Sequence, residues 1–468
     1  MIIFWFRNDL RVSDNPGLSQ AATEGRVMPV FIFEEESAKS LKMGATTGWW
    51  LHHSLKSLNT SLQGKLNFYQ GNVLNTFEKL LHCYKVKAVY WSRCYEPSAC
   101  EQEKRLKELL QFKKIPFQGF NASLLWEPEQ VLKKDKKPYQ VFTPFYREAL
   151  SEGSSIRPPL LAPQAMQLMK DENSSKTIDS LQLLSNIPWH EKLDDYWHIG
   201  EQAAHQRLSS FLKNDLIGYQ KNRDLPALSI TSRLSPHLHF GEISPHQIWD
   251  ATCEIASKTS KRDGDAFLRE LAWREFSYYQ LFHFPELPWK NFQSKFDRFP
   301  WHHDEVFLQA WQQGKTGFPI VDAGMRELWQ TGTMHNRVRM IVASFLTKNL
   351  LIDWRDGAAW FYDCLVDADL ATNSLNWQWV AGCGVDAAPY FRIFNPILQG
   401  KKFDPDGVYI RQFLPELRNL SKKFLFAPWE ASQTILNDAG IILGKTYPFP
   451  IVDLQVSRSR AMQAYHVL

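Results

Sequence analysis

Five short runs near the start of the chain are apolar almost end to end: IIFWF (2–6), VMPVFIF (27–33), KLNFYQG (65–71), KAVYWS (87–92) and IPFQGF (115–120). Amphipathic stretches separate them. Between residues 49 and 62, for example, Trp50, Leu51, Leu55, Leu58 and Leu62 recur at helical spacing. A strand that is apolar on both faces must be covered on both, and helices placed between such strands supply the cover. The pattern predicts a parallel sheet with helices on either side, a layout that binds ligands at the carboxyl ends of its strands. The first strand is followed by RNDLRVSDNP rather than by a glycine fingerprint, so this is not an ordinary dinucleotide fold by motif.

The 468 residues exceed one domain at about 100–200 residues each. Residues 151–198 are rich in Ser, Pro and charge and read as a connector, and from about 199 the pattern is helical. The division expected is 1–130 for the sheet domain, 131–198 for the connector and 199–468 for a helical domain. A charged fraction of 22% without long low-complexity tracts excludes global disorder. The six cysteines contain no CxxC pair, so reduced, mostly buried thiols are expected rather than structural zinc. The apolar start ends at Arg7, too early for a secretory signal, and no run reaches membrane-span length. These features point to a cytoplasmic protein.

Several apparent motifs fail. QQGKTG (312–317) lacks the earlier glycine of a phosphate loop, because Gln309 stands there. GCGVDA (382–387) follows a Trp-rich helical stretch and not a strand. His237 and His239, or His302 and His303, have no third ligand at a known spacing, so no metal site is expected.

The chain has 18 Trp and 31 Phe, most of which must serve packing. Four segments hold residues that packing does not explain. Thr231, Ser232, Arg233, Leu234 and Ser235 precede a helical stretch; hydroxyls and a cation at a helix start suit a phosphate, although such hydroxyls are often only caps. Glu270, Trp273, Arg274 and Ser277 share one helical face at i, i+3, i+4 and i+7. Asn336, Arg339 and Met340 share another, while Arg337 points elsewhere; Arg337, Arg339 and Lys348 make this stretch a basic face. Asn373 and Trp377 are i, i+4 neighbours, whereas Trp377 and Trp379 project about 200° apart on a helix and cannot share a role.

Together with FWFRNDLRVSDNPGL at the start and PYFRIFNPILQGKKFDPDGVYIRQFLPEL near the end, these segments resemble the photolyase/cryptochrome flavoproteins. The resemblance is greatest to bacterial class I cyclobutane pyrimidine dimer photolyases. It spans essentially the whole chain, and WREF, MHNRVRM, IDWR, DADLA and NWQW carry it.

The resemblance implies an α/β N-terminal domain with a Rossmann-like parallel sheet and an all-α C-terminal domain that binds FAD. Carried over by motif, Tyr219 and Thr231 to Ser235 hold the phosphates and ribityl chain. Arg274, Arg339, Asp367, Ala368 and Asp369 surround the isoalloxazine and adenine, and Asn373 faces the flavin N5. The implied activity is light-driven repair of pyrimidine dimers in DNA, the partner being damaged DNA and the dimer flipped out of the duplex. Glu270, Trp273, Asn336, Met340 and Trp379 form the implied dimer pocket, and Arg223 and Arg337 contact phosphates. Trp377, Trp354 and Trp301 are the implied chain for photoreduction. A monomer without an obligate protein partner and without a membrane anchor is expected. The N-terminal domain is implied to seat an antenna chromophore. Ser98 and Ala99 stand where a folate-binding photolyase shows an Asn–Glu pair, so folate, a deazaflavin, a second flavin and no antenna stay open.

The same residues bear on three rival readings. A cryptochrome-type blue-light receptor is disfavoured by Glu270, Trp273, Asn373 and Trp379. Repair of the (6-4) photoproduct asks for a histidine where Asn336 and Met340 stand; His335 precedes the Asn and points differently. A flavin-free aromatic nucleic-acid binder is the third.

Overall fold

The structure is a computed structural model that describes residues 1–34, 42–151, 156–172 and 176–468. By packing, the chain divides into two units: Met1–Tyr219, Ser232–Pro285 and Val366–Ala371 form one, and Gln220–Thr231, Glu286–Leu365 and Thr372–Leu468 the other. This division runs differently from sequence boundaries at 130 and 198, because Ser232–Pro285 and Val366–Ala371 cluster in one unit with the sheet.

The first unit is built on the expected parallel sheet. Strands β1 (Ile2–Phe6), β2 (Val27–Phe33), β3 (Asn67–Gln70), β4 (Ala88–Ser92) and β5 (Phe117–Phe120) lie in the order β3-β2-β1-β4-β5. Ile2 pairs with Val27 on one side and Ala88 on the other. Because side chains alternate along a strand, β1 feeds two cores. Ile2, Phe4 and Phe6 meet Trp50 and Leu55 of the helix Ala45–Ser61, while Ile3 and Trp5 meet Phe77, Leu106 and Leu110 on the other face.

The residues after β1 are a clamp, not a phosphate loop. Asp9 accepts from the Arg7 N–H at 2.7 Å, from Asn15 Nδ2 at 2.8 Å and from Ser92 Oγ at 2.6 Å. Arg11 is buried and donates to the carbonyls of Gly241, Asp14 and Ala122. Asn15 caps the helix Pro16–Glu24. The expected connector is also tied down: Val27 N donates to Gln167 O at 2.9 Å and Met169 N to Val27 O at 2.8 Å.

Among its described residues the second unit holds helices and turns and no strand, including Pro319–Thr331, Asn336–Ser344, Trp354–Cys364, Leu370–Ala381 and Leu454–His466. Both rejected glycine motifs end as turns with their N–H groups in use. Thr316 N and Gly317 N donate to buried Asp322, and Gly382, Cys383 and Gly384 all donate to Gln378 O. The tail closes this unit: Tyr409 donates to Glu327 and Tyr447 to Asp322. The cysteines correct one expectation. All six are free, but only Cys364 and Cys383 are buried, while Cys83 and Cys253 are exposed on amphipathic helices. Among the described residues no helix is long and apolar enough to cross a membrane.

Candidate functional site

The residues singled out from the sequence fall in both units, and each set is built locally. In the first unit, the helix Lys261–His283 starts where Ser260 accepts from Asp263 N. It carries Glu270, Trp273 and Arg274, all half-buried. Trp273 stacks on Phe142 with ring centroids 3.8 Å apart and planes 9° apart, so one indole face is covered. Arg274 is fixed by its Nη1 donating to Ser123 O at 2.9 Å and by stacking 4.7 Å over Tyr278. The Tyr278 hydroxyl in turn donates to Asp369. Glu275, behind Arg274, accepts from Leu125 N at 2.7 Å, and burial pushes its carboxyl up to about 7.

The expected helix start after Leu234 is Ser235–His239. Ser235 Oγ donates to Asp367 Oδ2 at 2.6 Å, and Asp367 and Asp369 are 8% and 4% exposed. Ala368 between them and Tyr219 are buried. Ser232 O accepts from Arg207 Nε at 2.7 Å. Arg233 adopts a left-handed φ of 53° and lies 5.1 Å over the Trp197 ring. The same unit holds a cavity of about 370 Å³ lined by Trp49, His53, Lys56, Asp194 and Trp197 among others. Burial holds the His53 imidazole below its usual value.

In the second unit, His335 caps the helix Asn336–Ser344 by accepting from Arg337 N at 3.2 Å. That role turns the imidazole into the helix end, and burial lowers it to about 4. Arg339 is held by Met334 O at 2.7 Å and Thr333 Oγ1 at 3.4 Å. Arg337 pairs with Asp224 at 2.7 Å, lies 4.5 Å over Phe403 and reaches Met340 Sδ at 3.7 Å; Arg223 stands 4.0 Å from the same carboxylate. Lys348 corrects the expected basic face. It lies in a π-turn, Phe345–Asn349, which rotates it inward to 1% exposure, where it donates to Tyr390 O and Arg392 O.

The helix Leu370–Ala381 separates its indoles as the 200° offset requires: Trp377 is buried and Trp379 half-buried. Asn373 donates to Ala358 O at 3.0 Å. Trp354 is fully buried at the start of its helix, and half-buried Trp301 packs 4.4 Å from Phe299. His302 N donates to Leu351 O at 2.7 Å, which ties the Trp301 segment to the one before Trp354. Two residues the sequence reading missed shape this region. Gly357 lets its helix meet Trp377 directly, since a Cβ there would stand 2.2 Å from Cη2. Asn291 accepts from Trp354 Nε1 at 2.9 Å.

Comparison with known proteins settles the lineage. Residues 2–164 match the family described as DNA photolyase, and residues 267–467 match the FAD binding domain of DNA photolyase. A deoxyribodipyrimidine photo-lyase from Agrobacterium fabrum is 47% identical over 99% of this chain and 97% of its own length. The chain belongs to the photolyase/cryptochrome family. Within that family the likeness extends to cryptochromes: cryptochrome-2 of Arabidopsis thaliana is 37% identical over 99% of this chain and 78% of its own length. A crystal structure of a bacterial class III photolyase from Agrobacterium tumefaciens superposes with a TM-score of 0.95 at 47% identity, covering 100% of this chain and 97% of that one. The sequence segments point to class I, whereas this similar structure is named a class III photolyase.

The family's FAD-binding domain is thus present, and the residues suit the cofactor. Hydroxyls beside a helix start, guanidinium groups held in place by carbonyls, two buried carboxylates and a side-chain amide are the partners that phosphates and the polar edges of flavin and adenine call for.

Proposed function

We propose that this protein is a DNA photolyase that splits cyclobutane pyrimidine dimers with light. The observation that carries the reading is Trp273. One ring face is spent on Phe142, the residue stays half-buried, and the Glu270 carboxylate lies three residues before it on the same helix. Core packing asks for neither the exposure nor the carboxylate. The 47% identity to a deoxyribodipyrimidine photo-lyase supports the same conclusion.

When bound, reduced FAD supplies on blue-light excitation the electron that opens the cyclobutane ring. The chain's own residues bind and orient. Tyr219, Thr231 to Ser235, Arg274, Arg339, Asp367, Asp369 and Asn373 hold the cofactor. Photolyases take their target out of the stack, and a damaged, poorly stacked step costs least to extrude. Trp273 and Trp379 offer aromatic surfaces to the flipped pyrimidines, and each such stack is worth about 1–3 kcal/mol. Glu270 hydrogen-bonds the pyrimidine edge, while Asn336 and Met340 complete the pocket. Arg223 and Arg337 meet phosphates, Arg337 by exchanging Asp224 for the backbone. Trp377, Trp354 and Trp301 pass electrons inward during photoreduction. For an antenna, the cavity beside Trp49 and Trp197 is the place of choice, because two indoles and Lys56 suit a planar, anionic heterocycle. The protein acts as a cytoplasmic monomer.

The test is direct. Purified protein loaded with FAD and reduced without oxygen is mixed with a thymine-dimer oligonucleotide and exposed to blue light; the dimer disappears. Photoreduction without dimer loss refutes repair and favours the second reading, a cryptochrome-type receptor, which the Arabidopsis relative supports.

A further inference from the structure

We infer that Asn291 tunes Trp354 for electron transfer. Its side-chain carbonyl holds the indole proton in place while the ring is oxidised, so the oxidising hole moves on instead of being trapped. The inference rests on the photoreduction chain proposed above and names a residue that controls it.

Trp354 is fully buried, and its Nε1–H donates to Asn291 Oδ1 at 2.9 Å. Asn291 is itself 7% exposed, and its Nδ2 donates to Asp297 Oδ1 at 2.8 Å. A buried indole N–H needs an acceptor, but any backbone carbonyl would serve. Here the acceptor is a side chain in the turn 287–293, and that turn is held from several directions. Gln378, between Trp377 and Trp379, accepts from Phe292 N at 2.9 Å and donates to Leu287 O at 2.6 Å and Lys290 O at 2.9 Å. Arg355, next to Trp354, donates to Trp289 O at 2.8 Å. The amide is therefore fixed relative to both Trp-bearing helices. Trp301 differs: among the described residues its buried Nε1 has no hydrogen-bond partner.

The chemistry follows from the acceptor. A neutral indole holds its N–H proton firmly, but loss of one electron makes that proton strongly acidic. A carboxylate at 2.9 Å would take it, leaving a neutral radical that resists refilling. An amide carbonyl is far too weak a base to take it; it accepts a hydrogen bond and nothing more. In the proposed sequence Trp354 gives one electron to oxidised Trp377 and becomes a radical cation. Its proton stays on Nε1, shared with Asn291 Oδ1. Trp301 then gives one electron to Trp354, restoring the neutral indole with no proton to recover. Asp297 lies at the surface, so its charge acts on Trp354 chiefly by polarising Asn291 through the hydrogen bond.

Asn291→Asp is made together with Asp297→Asn, because a buried carboxyl at 291 would otherwise share a proton with Asp297 2.8 Å away; in that background it keeps the shape and replaces the amide by a base. Flash photolysis of the FAD-loaded variant is expected to show the neutral tryptophan radical forming at least tenfold faster than in the parent. Adding Trp301→Phe should leave that signal unchanged, because the hole no longer reaches Trp301. Asn291→Leu removes the acceptor. In the dark, ultraviolet resonance Raman difference spectra against Trp354→Phe should then show one indole N–H moved from the bonded to the free position. If Trp354→Phe photoreduces as the parent does, the tryptophan chain itself fails. If Trp354→Phe blocks photoreduction while Asn291→Asp with Asp297→Asn matches the parent in radical kinetics, the role of Asn291 is overturned and the chain stands.

Discussion

Gly357→Ala sets two known effects against each other. A glycine inside a helix costs about 1 kcal/mol relative to alanine, so on propensity alone the change stabilises the helix Trp354–Cys364. The structure predicts the opposite. The added Cβ would stand 2.2 Å from Trp377 Cη2, 2.5 Å from Cζ3 and 2.6 Å from Leu346 Cδ2. Carbon atoms rest at about 3.5–4.0 Å, so the ring must retreat by more than about 1 Å. Little room exists behind it: Phe361 lies 5.0 Å and Trp311 6.2 Å away by ring centroids, and Trp311 is anchored by Nε1 donating to Val342 O at 3.0 Å. Overpacking of this kind costs about 1–3 kcal/mol, occasionally more. With the upper end set against the propensity gain, the net loss is about 2 kcal/mol. At about 1.4 kcal/mol per tenfold, amides of residues 354–364 should exchange roughly 30-fold faster in the variant. Hydrogen–deuterium exchange with peptide-level mass spectrometry reads this directly and does not assume two-state unfolding. Exchange that slows or stays the same would refute the claim that backbone contact at Gly357 sets the seat of Trp377.

Glu270→Ala should retain FAD and its photoreduction but repair dimers at least tenfold more slowly, measured as dimer loss per absorbed photon; an unchanged yield removes Glu270 from the pocket. Trp301→Phe should impair light-driven reduction of FAD and leave repair by chemically reduced protein intact, a split checked by running both assays on one preparation. Burial lowers Lys348 to about 8 from 10.5. Below pH 8 the folded protein carries a costly buried charge. Between about pH 8 and 10.5 the folded lysine has shed a proton that the unfolded chain still holds, so stability rises with pH, by up to about 3 kcal/mol. Denaturant titrations across that window should show the parent gaining that amount relative to Lys348→Met, a difference in which the buried Tyr and Cys groups common to both cancel.

What the sequence made legible was local. The apolar runs of all five strands stand within two residues of their observed bounds, because burial on both faces leaves a continuous apolar signature. The face shared by Glu270, Trp273 and Arg274 and the opposed indoles of Trp377 and Trp379 follow from helical periodicity alone. What stayed hidden depends on contacts between distant segments. Lys348 looks like any solvated lysine, and only a π-turn turns it inward. Gly357 in DGAAW reads as a weak point of a helix until Trp377 is seen against it. Residues 167–169 look like linker and yet hydrogen-bond alongside β2.

Asn291 shows why such features escape periodicity. It is 63 residues from Trp354 in sequence, in a turn with no pattern of its own. Burial identifies Trp354 as core, and core is all that volume requires of it. The feature that packing does not require is the choice of acceptor: a side-chain amide, carried on a turn that Gln378 and Arg355 hold and linked to a surface carboxylate.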